Sequence, residues 1–225
     1  MIFWISIALS VFAILKSKAS HNINRWDALF LLSSWQVFNL GYWQKYLATT
    51  AVTDPYNTAA TILVLLSIWF IRRRKIDLGK IELSKKSALA AMLSLGVLTK
   101  ILIPAGLLLG FLKFNPRLEP SHIISTAIGY YLFVAPNEEL IFRGIIFNLL
   151  EKYFKKWVAL LISTALFAFI YTHISGNEIF PNWQYAGMAF IAGLAYGISY
   201  MKSRNILVPI FVHGSVDTIW RIFLT

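Results

Sequence analysis

Apolar runs recur along nearly the whole chain, and the polar stretches between them are too short to fold as a separate soluble domain. The longest polar stretch, RRRKIDLGKIELSKK, occupies 72–86. This pattern constrains the fold more than any other feature. Hydrophobic residues make up 58% of the 225 positions and charged residues 14%, with mean hydropathy +0.64. Soluble domains carry about a quarter charged residues. The expected fold class is therefore all-α: a polytopic membrane helical bundle of about eight transmembrane helices. It is read as a single integral membrane domain over 1–225, with a motif-bearing core over 121–222.

The helical segments fall at about 2–16, 26–48, 57–71, 87–112, 121–151, 157–173, 183–201 and 206–222. Segment 57–71 would reach only ~22 Å against a hydrocarbon core of ~30 Å, so it either starts earlier than its polar flank suggests or does not span fully. The first segment resembles a signal peptide in its apolar run. It lacks a basic leading region and a clear small-residue cleavage site, and it is read as a retained first helix. Segment 121–151 holds Pro136, where a kink or break is expected.

The formal charge of +11 raises nucleic acid as a partner, but the placement of the charges argues against it. Fifteen of the 21 basic residues lie in the loops after segments 1, 3, 5 and 7. That is the bias that sets membrane orientation, and it puts both termini outside. The expected partners are the lipid bilayer and a peptide or membrane-protein substrate, with no nucleic acid; oligomeric state is not readable. The absence of cysteine excludes disulfides, thiolate zinc sites and cysteine nucleophiles. The compact, cysteine-free, Ile/Lys/Asn-rich sequence reads as a multi-pass protein of a bacterial plasma membrane.

Ionisable residues inside membrane helices cost about 2.5–3.5 kcal/mol on insertion scales and usually face the bundle interior with a task. Three sets occur here. In APNEELIFRG, Glu139 and Arg143 are four apart and share a helix face, while Glu138 points about 100° away. In FAFIYTHIS, Phe169 precedes His173 by four. In VHGSVDTIW, His213 and Asp217 form another i, i+4 pair, with Gly214 permitting close approach. Each set taken alone also fits a structural brace. Taken together, they can activate water: a carboxylate takes its proton, a histidine orients it, and a further histidine stabilises the oxyanion. Lys100 has no acid at i, i+4 and is read as snorkelling, lining the cavity or pairing across helices. The depth of the site is in tension with the loop charges. They put His173 at the outer end of its helix, yet His213 lies nine residues past Arg204 on the inner side. Short, tilted or re-entrant helices would reconcile them.

At these motifs the chain resembles the CPBP family, also called Abi or type II CAAX prenyl endopeptidase-like proteins. The family pattern EExxxR, FxxxH and HxxxN or HxxxD is met in order by EELIFR, FIYTH and HGSVD. The resemblance covers about a third of the chain, over 136–217, and 1–120 contributes nothing to it. It implies a glutamate-dependent intramembrane endopeptidase that needs no metal and no cofactor. Glu138 would be the general base and His173 its partner on the water. His213 and Asp217 would occupy the oxyanion-hole positions, and Glu139, Arg143 and Phe169 would support the site. An ionised aspartate cannot donate a hydrogen bond. Asp217 therefore either donates in protonated form or orients His213. A prenylated substrate is not expected in a bacterial relative, and a hydrophobic or membrane-bound peptide is. The alternatives are a non-catalytic bacteriocin-immunity or scaffold protein, a zinc-dependent membrane protease, and a transporter.

Overall fold

The computed structural model describes residues 2–19, 22–39, 55–79, 81–173 and 181–224. Among the described residues the regular structure is helical: α1 (Ile2–Lys16), α2 (Arg25–Asn39), α3 (Pro55–Arg74), α4 (Lys85–Leu108), α5 (120–150), α6 (Lys156–Ile170), α7 (Trp183–Ser203) and α8 (Leu207–Phe223). The apolar runs of the sequence correspond to these helices within a few residues, and the C-terminal part of segment 26–48 lies outside the described residues. Two isolated antiparallel bridges, Gly79 with Asn205 and Phe114 with Leu224, tie loops together at opposite ends of the bundle.

The third helix corrects the sequence reading. It runs 20 residues, from Pro55 to Arg74, and so reaches about 30 Å. Its last turn, Arg72 to Arg74, looks like loop because of its charge, but Arg74 is buried against Asp27 of α2, with Nε 2.8 Å from Oδ1. Arg74 also donates to the carbonyls of Lys18 and Asn22, and the neighbouring Arg73 donates to that of Ser17. These bonds draw the loop between α1 and α2 over the end of α3. At the same end, Arg204 pairs with Glu151 at 2.9 Å and Asn205 donates to the carbonyl of Glu82. The loops after α1, α3, α5 and α7 thus meet at one end of the bundle, and that end carries most of the basic residues.

α5 runs through the centre. Every residue from Asn137 to Leu149 is buried. On one side a core joins Phe147 to Ile14, Phe30, Phe70 and Tyr200, with Phe30 and Phe70 stacked at 4.2 Å. On the other a second core joins Phe142 to Leu98, Phe167, Tyr196 and Val212. α6 approaches α7 closely because α7 presents Gly193 and Gly197 one turn apart. A Cβ at Gly193 would lie 2.8 Å from the Phe167 ring and 3.2 Å from Arg143 Nη2. Small residues one turn apart serve helices that must pack backbone to backbone.

α4 is long and apolar enough to cross a membrane, and among the described residues it is the one helix that meets both conditions. It exposes Leu89, Met92, Leu93, Val97, Ile101 and Leu108 on its outer face, while only Ala91, Leu98, Leu102 and Gly106 are buried. Lys100 is exposed on this helix rather than turned into the bundle.

Candidate active site

The site is organised by α5, whose winding changes along its length. α-Helical turns at Pro120–Ile128, Ala135–Glu139 and Asn148–Leu150 alternate with π-helical turns at Gly129–Val134 and Leu140–Phe147. Where the sequence predicts a kink or break at Pro136, the helical winding continues, with a π-helical turn just before it. Ala135 N–H reaches back five residues to Tyr130 O, and the side-chain amide of Asn137 donates to Phe133 O at 2.7 Å. The same amide nitrogen donates to Ala60 O of α3 at 3.0 Å, fixing α5 to its neighbour. Further along, Ser163 donates to Phe142 O at 2.7 Å, and Asn148 donates to the carbonyls of Arg143 and Gly144, both at 2.9 Å. Wide turns loosen backbone pairing, buried polar groups must be paired, and such turns concentrate at functional sites. Here three side chains from within the core supply partners to the loosened carbonyls.

This winding presents Glu138, Glu139 and Arg143 to three different helices. Arg143 Nη1 donates to Glu139 Oε1 at 3.0 Å, and its Nη2 donates to Gly193 O of α7 at 2.6 Å. The guanidinium lies over Phe167 at 4.6 Å and Tyr196 at 5.5 Å, an arrangement in which aromatic faces attract a desolvated cation. The Glu139 oxygen that takes Arg143 also meets His213 Nδ1 of α8 at 2.8 Å. The imidazole is stacked on Tyr196, 4.5 Å between ring centres and 15° between planes, and Phe167 meets it edge-on. One carboxylate oxygen therefore joins α5 to α8, and two aromatic rings hold the imidazole in plane.

The other face of His213 looks towards Glu138 and Asp217. Nε2 is 3.3 Å from Asp217 Oδ2 and 3.7 Å from Glu138 Oε2. A carboxylate only accepts, so a hydrogen bond on each side of the ring needs a hydrogen on each nitrogen. The two glutamates differ in access. The Glu139 side chain is 0% exposed and the Glu138 side chain 11%. Glu138 Oε2 accepts from the hydroxyl of Tyr171 at 2.8 Å. Tyr171, His213 and Asp217 line an apolar cavity of about 50 Å³ whose other walls include Leu102, Met188, Val216 and Trp220. Gly214, on the opposite side of α8, makes room for the Tyr131 ring, which a Cβ would meet at 2.8 Å. Among the described residues no group of three or more His, Asp or Glu side chains is arranged to hold a metal ion.

The FIYTH segment departs from the even helical spacing assumed above. α6 ends at Ile170 after 15 residues, about 22 Å, and the chain tightens into a 3-10 turn at Tyr171–His173. The short helix removes the tension over depth, since its end stops beside Glu138 within the bundle. Tighter winding also means that a spacing of four no longer sets a common face. Phe169 is half exposed on the outside of α6, and Phe167 is the aromatic residue that packs on Arg143 and His213. The side chain of His173 lies outside the described residues. Four participants were missed in the sequence: Tyr171, Tyr196, Asn137 and Ser163. The first three left a signal, a polar-tipped residue beside a charged motif or in an apolar helix, but nothing in the spacing paired any of the four with its partner.

Residues 120–219 match the family model described as Rce1-like, type II CAAX prenyl endopeptidase Rce1-like. An uncharacterized 24.3 kDa protein of Escherichia coli is 24% identical over 103 residues, a match covering 45% of this chain and 45% of that protein. The chain thus matches a little under half the length of this curated relative. No solved structure matches it significantly.

Proposed function

Because this chain belongs, through residues 120–219, to the CPBP family of type II CAAX prenyl endopeptidase-like proteins, we propose that it is a multi-pass intramembrane endopeptidase with Glu138 as its general base. One observation carries this reading. Of the two adjacent glutamates, Glu139 is fully buried and committed to Arg143 and His213, while Glu138 keeps access and faces His213 beside an apolar cavity.

In this mechanism Glu138 takes a proton from a water, and the oxygen attacks the peptide carbonyl carbon. The developing oxyanion accepts a hydrogen bond from His213 Nε2. Such preorganised donors are worth about 10²–10³ in rate. Asp217, acceptor-only when ionised, holds the Nε2 hydrogen of His213 in the resting site at 3.3 Å and gives it up as the oxyanion forms. Glu139 fixes the opposite ring nitrogen, as a buried carboxylate does for the histidine of a catalytic triad. Collapse of the tetrahedral intermediate breaks the C–N bond, and Glu138 returns its proton to the leaving amine. His173 is proposed as the second residue holding the water, on the strength of the family motif.

The apolar side chains beside His213 and Asp217 suit a hydrophobic or membrane-associated peptide as substrate. The apolar outer face of α4 and the gathering of basic loops at one end favour a bilayer crossed several times, with that end facing the cytoplasm of a bacterium. The test compares membrane and secreted peptides from cells carrying wild-type protein and Glu138→Ala protein at matched membrane levels. A precursor accumulating only in the variant identifies activity and substrate together. Identical peptide profiles would remove the protease reading. If, in addition, the variant still protected cells from a bacteriocin, the non-catalytic role would stand in its place.

A further inference from the structure

We infer that Tyr171 is a positioning residue for Glu138, its hydroxyl holding the base apart from His213 and so keeping open the space where water and substrate meet. The inference rests on the reading of Glu138 as the base.

Among the described residues, Glu138 Oε2 has two polar neighbours in the site. The Tyr171 hydroxyl donates to it at 2.8 Å, and His213 Nε2 stands off at 3.7 Å, beyond hydrogen-bonding distance. In a buried setting an imidazole N–H and a carboxylate attract strongly and close to about 2.7–2.9 Å when nothing competes. Closure would consume both groups. Glu138 would be paired with the imidazole and so become a weaker base, and His213 would lose the donor meant for the oxyanion. A competing donor at Oε2 prevents this, and its chemistry matters. A lysine or arginine would itself pair with the carboxylate and cancel its charge. A phenol occupies one lone pair and leaves the charge in place.

Tyr171 is built for this position. Its ring is held by Phe167 at 5.1 Å and Tyr185 at 4.9 Å between ring centres, and it is 8% exposed. The 3-10 turn that follows α6 begins with this residue and turns it towards α5. Its wall of the cavity is shared with His213 and Asp217. Asp217 restrains Nε2 of His213 and Tyr171 restrains Oε2 of Glu138, so the gap between acid and base is held from both sides.

The test is Tyr171→Phe, which removes the hydroxyl and keeps the ring. The purified full chain is assayed in detergent micelles with an internally quenched peptide whose cleavage region is apolar, beside wild type and Glu138→Gln. The expected result is a kcat about 10- to 100-fold lower with KM within about 2-fold of wild type, the pattern of an interaction needed only in the transition state. A kcat equal to wild type, or a loss confined to KM, overturns the inference while leaving the base intact. Wild type no faster than Glu138→Gln overturns the base and the inference with it. A second measurement needs no turnover. In protein labelled at tyrosine Cζ, the resonance absent from the Tyr171→Phe spectrum identifies Tyr171. That resonance is expected to shift in Glu138→Gln, and an unmoved resonance shows that the contact is not made.

Discussion

Among the described residues two arginine–carboxylate pairs are buried, and they are finished differently. In the N-terminal layer, Asp27 takes Arg74 through both carboxylate oxygens and also accepts from the N–H of Asn24. Nη1 and Nη2 of Arg74 also donate to the loop carbonyls of Lys18 and Asn22, while its buried Nε makes no hydrogen bond among the described residues. In the C-terminal half, Glu139 places Arg143 and His213 on a single oxygen, and Oε2 has no hydrogen-bond partner among the described residues. The first pair closes loops over a helix end. The second is under-satisfied and passes its orientation to an imidazole that faces a cavity. Burial of an ion pair is a poor guide to its role. What separates the two is the further partner each holds, loop carbonyls for Arg74 and the His213 imidazole for Glu139.

The largest expected effect lies beside the second pair. Glu138→Gln is expected to lower cleavage by about 10²–10⁴, the range for a lost general base, while the protein still inserts and folds. Retained cleavage at matched protein levels would make both pairs structural and erase the contrast. Next come Arg74→Met and Arg143→Met. Each strands a buried carboxylate, so each is expected to cost about 3–5 kcal/mol of stability, read by unfolding in detergent. Only Arg143→Met is expected to lose cleavage per folded molecule, because it also releases Glu139 and with it His213. Equal specific activity in the two variants would collapse the distinction. The double change Asp27→Leu with Arg74→Met is expected to recover most of the stability lost by Arg74→Met, since apolar groups of similar volume often replace a buried pair at little cost. Recovery of less than about 1 kcal/mol would show that the loop carbonyls bound by Arg74 matter more than its charge partner.

The two regions also differ in how far the sequence announced them. Helices were legible because each apolar run ends in charged loops, and the contact between Glu139 and Arg143 was legible because it lies within one helix. The end of α3 was not. Arg74 looks like loop charge, and its partner Asp27 is 47 positions away. The link from Glu139 to His213 spans 74 positions, and no local pattern encodes it. Changes of winding were equally hidden. Pro136 signals a disturbance, but nothing local distinguishes a break from a widened turn repaired by Asn137, Ser163 and Asn148. Tertiary packing decides which backbone groups find partners, and periodicity assumes they find them one turn away.

The smallest effect is the sharpest test of that last point. An even helix puts Phe169 beside His173, and the family motif names it. In the structure the chain tightens after Ile170, Phe169 is half exposed, and Phe167 is buried against Arg143 and His213. Phe167 is 1% exposed and touches Arg143, Tyr196, Tyr171 and His213. Phe167→Ala should therefore open a cavity in the site's supporting layer and cost about 3–5 kcal/mol, with a loss of cleavage in what remains folded. Phe169→Ala, at a half-exposed position, should cost less stability than Phe167→Ala. The two residues have the same side chain two positions apart, so hydrophobicity and helix propensity cancel in the comparison. What is left is the direction each ring takes from the winding of α6. An inverted result, with Phe169 sensitive and Phe167 tolerant, would mean that the helix continues with even spacing through His173. Tyr171 would then be turned away from Glu138.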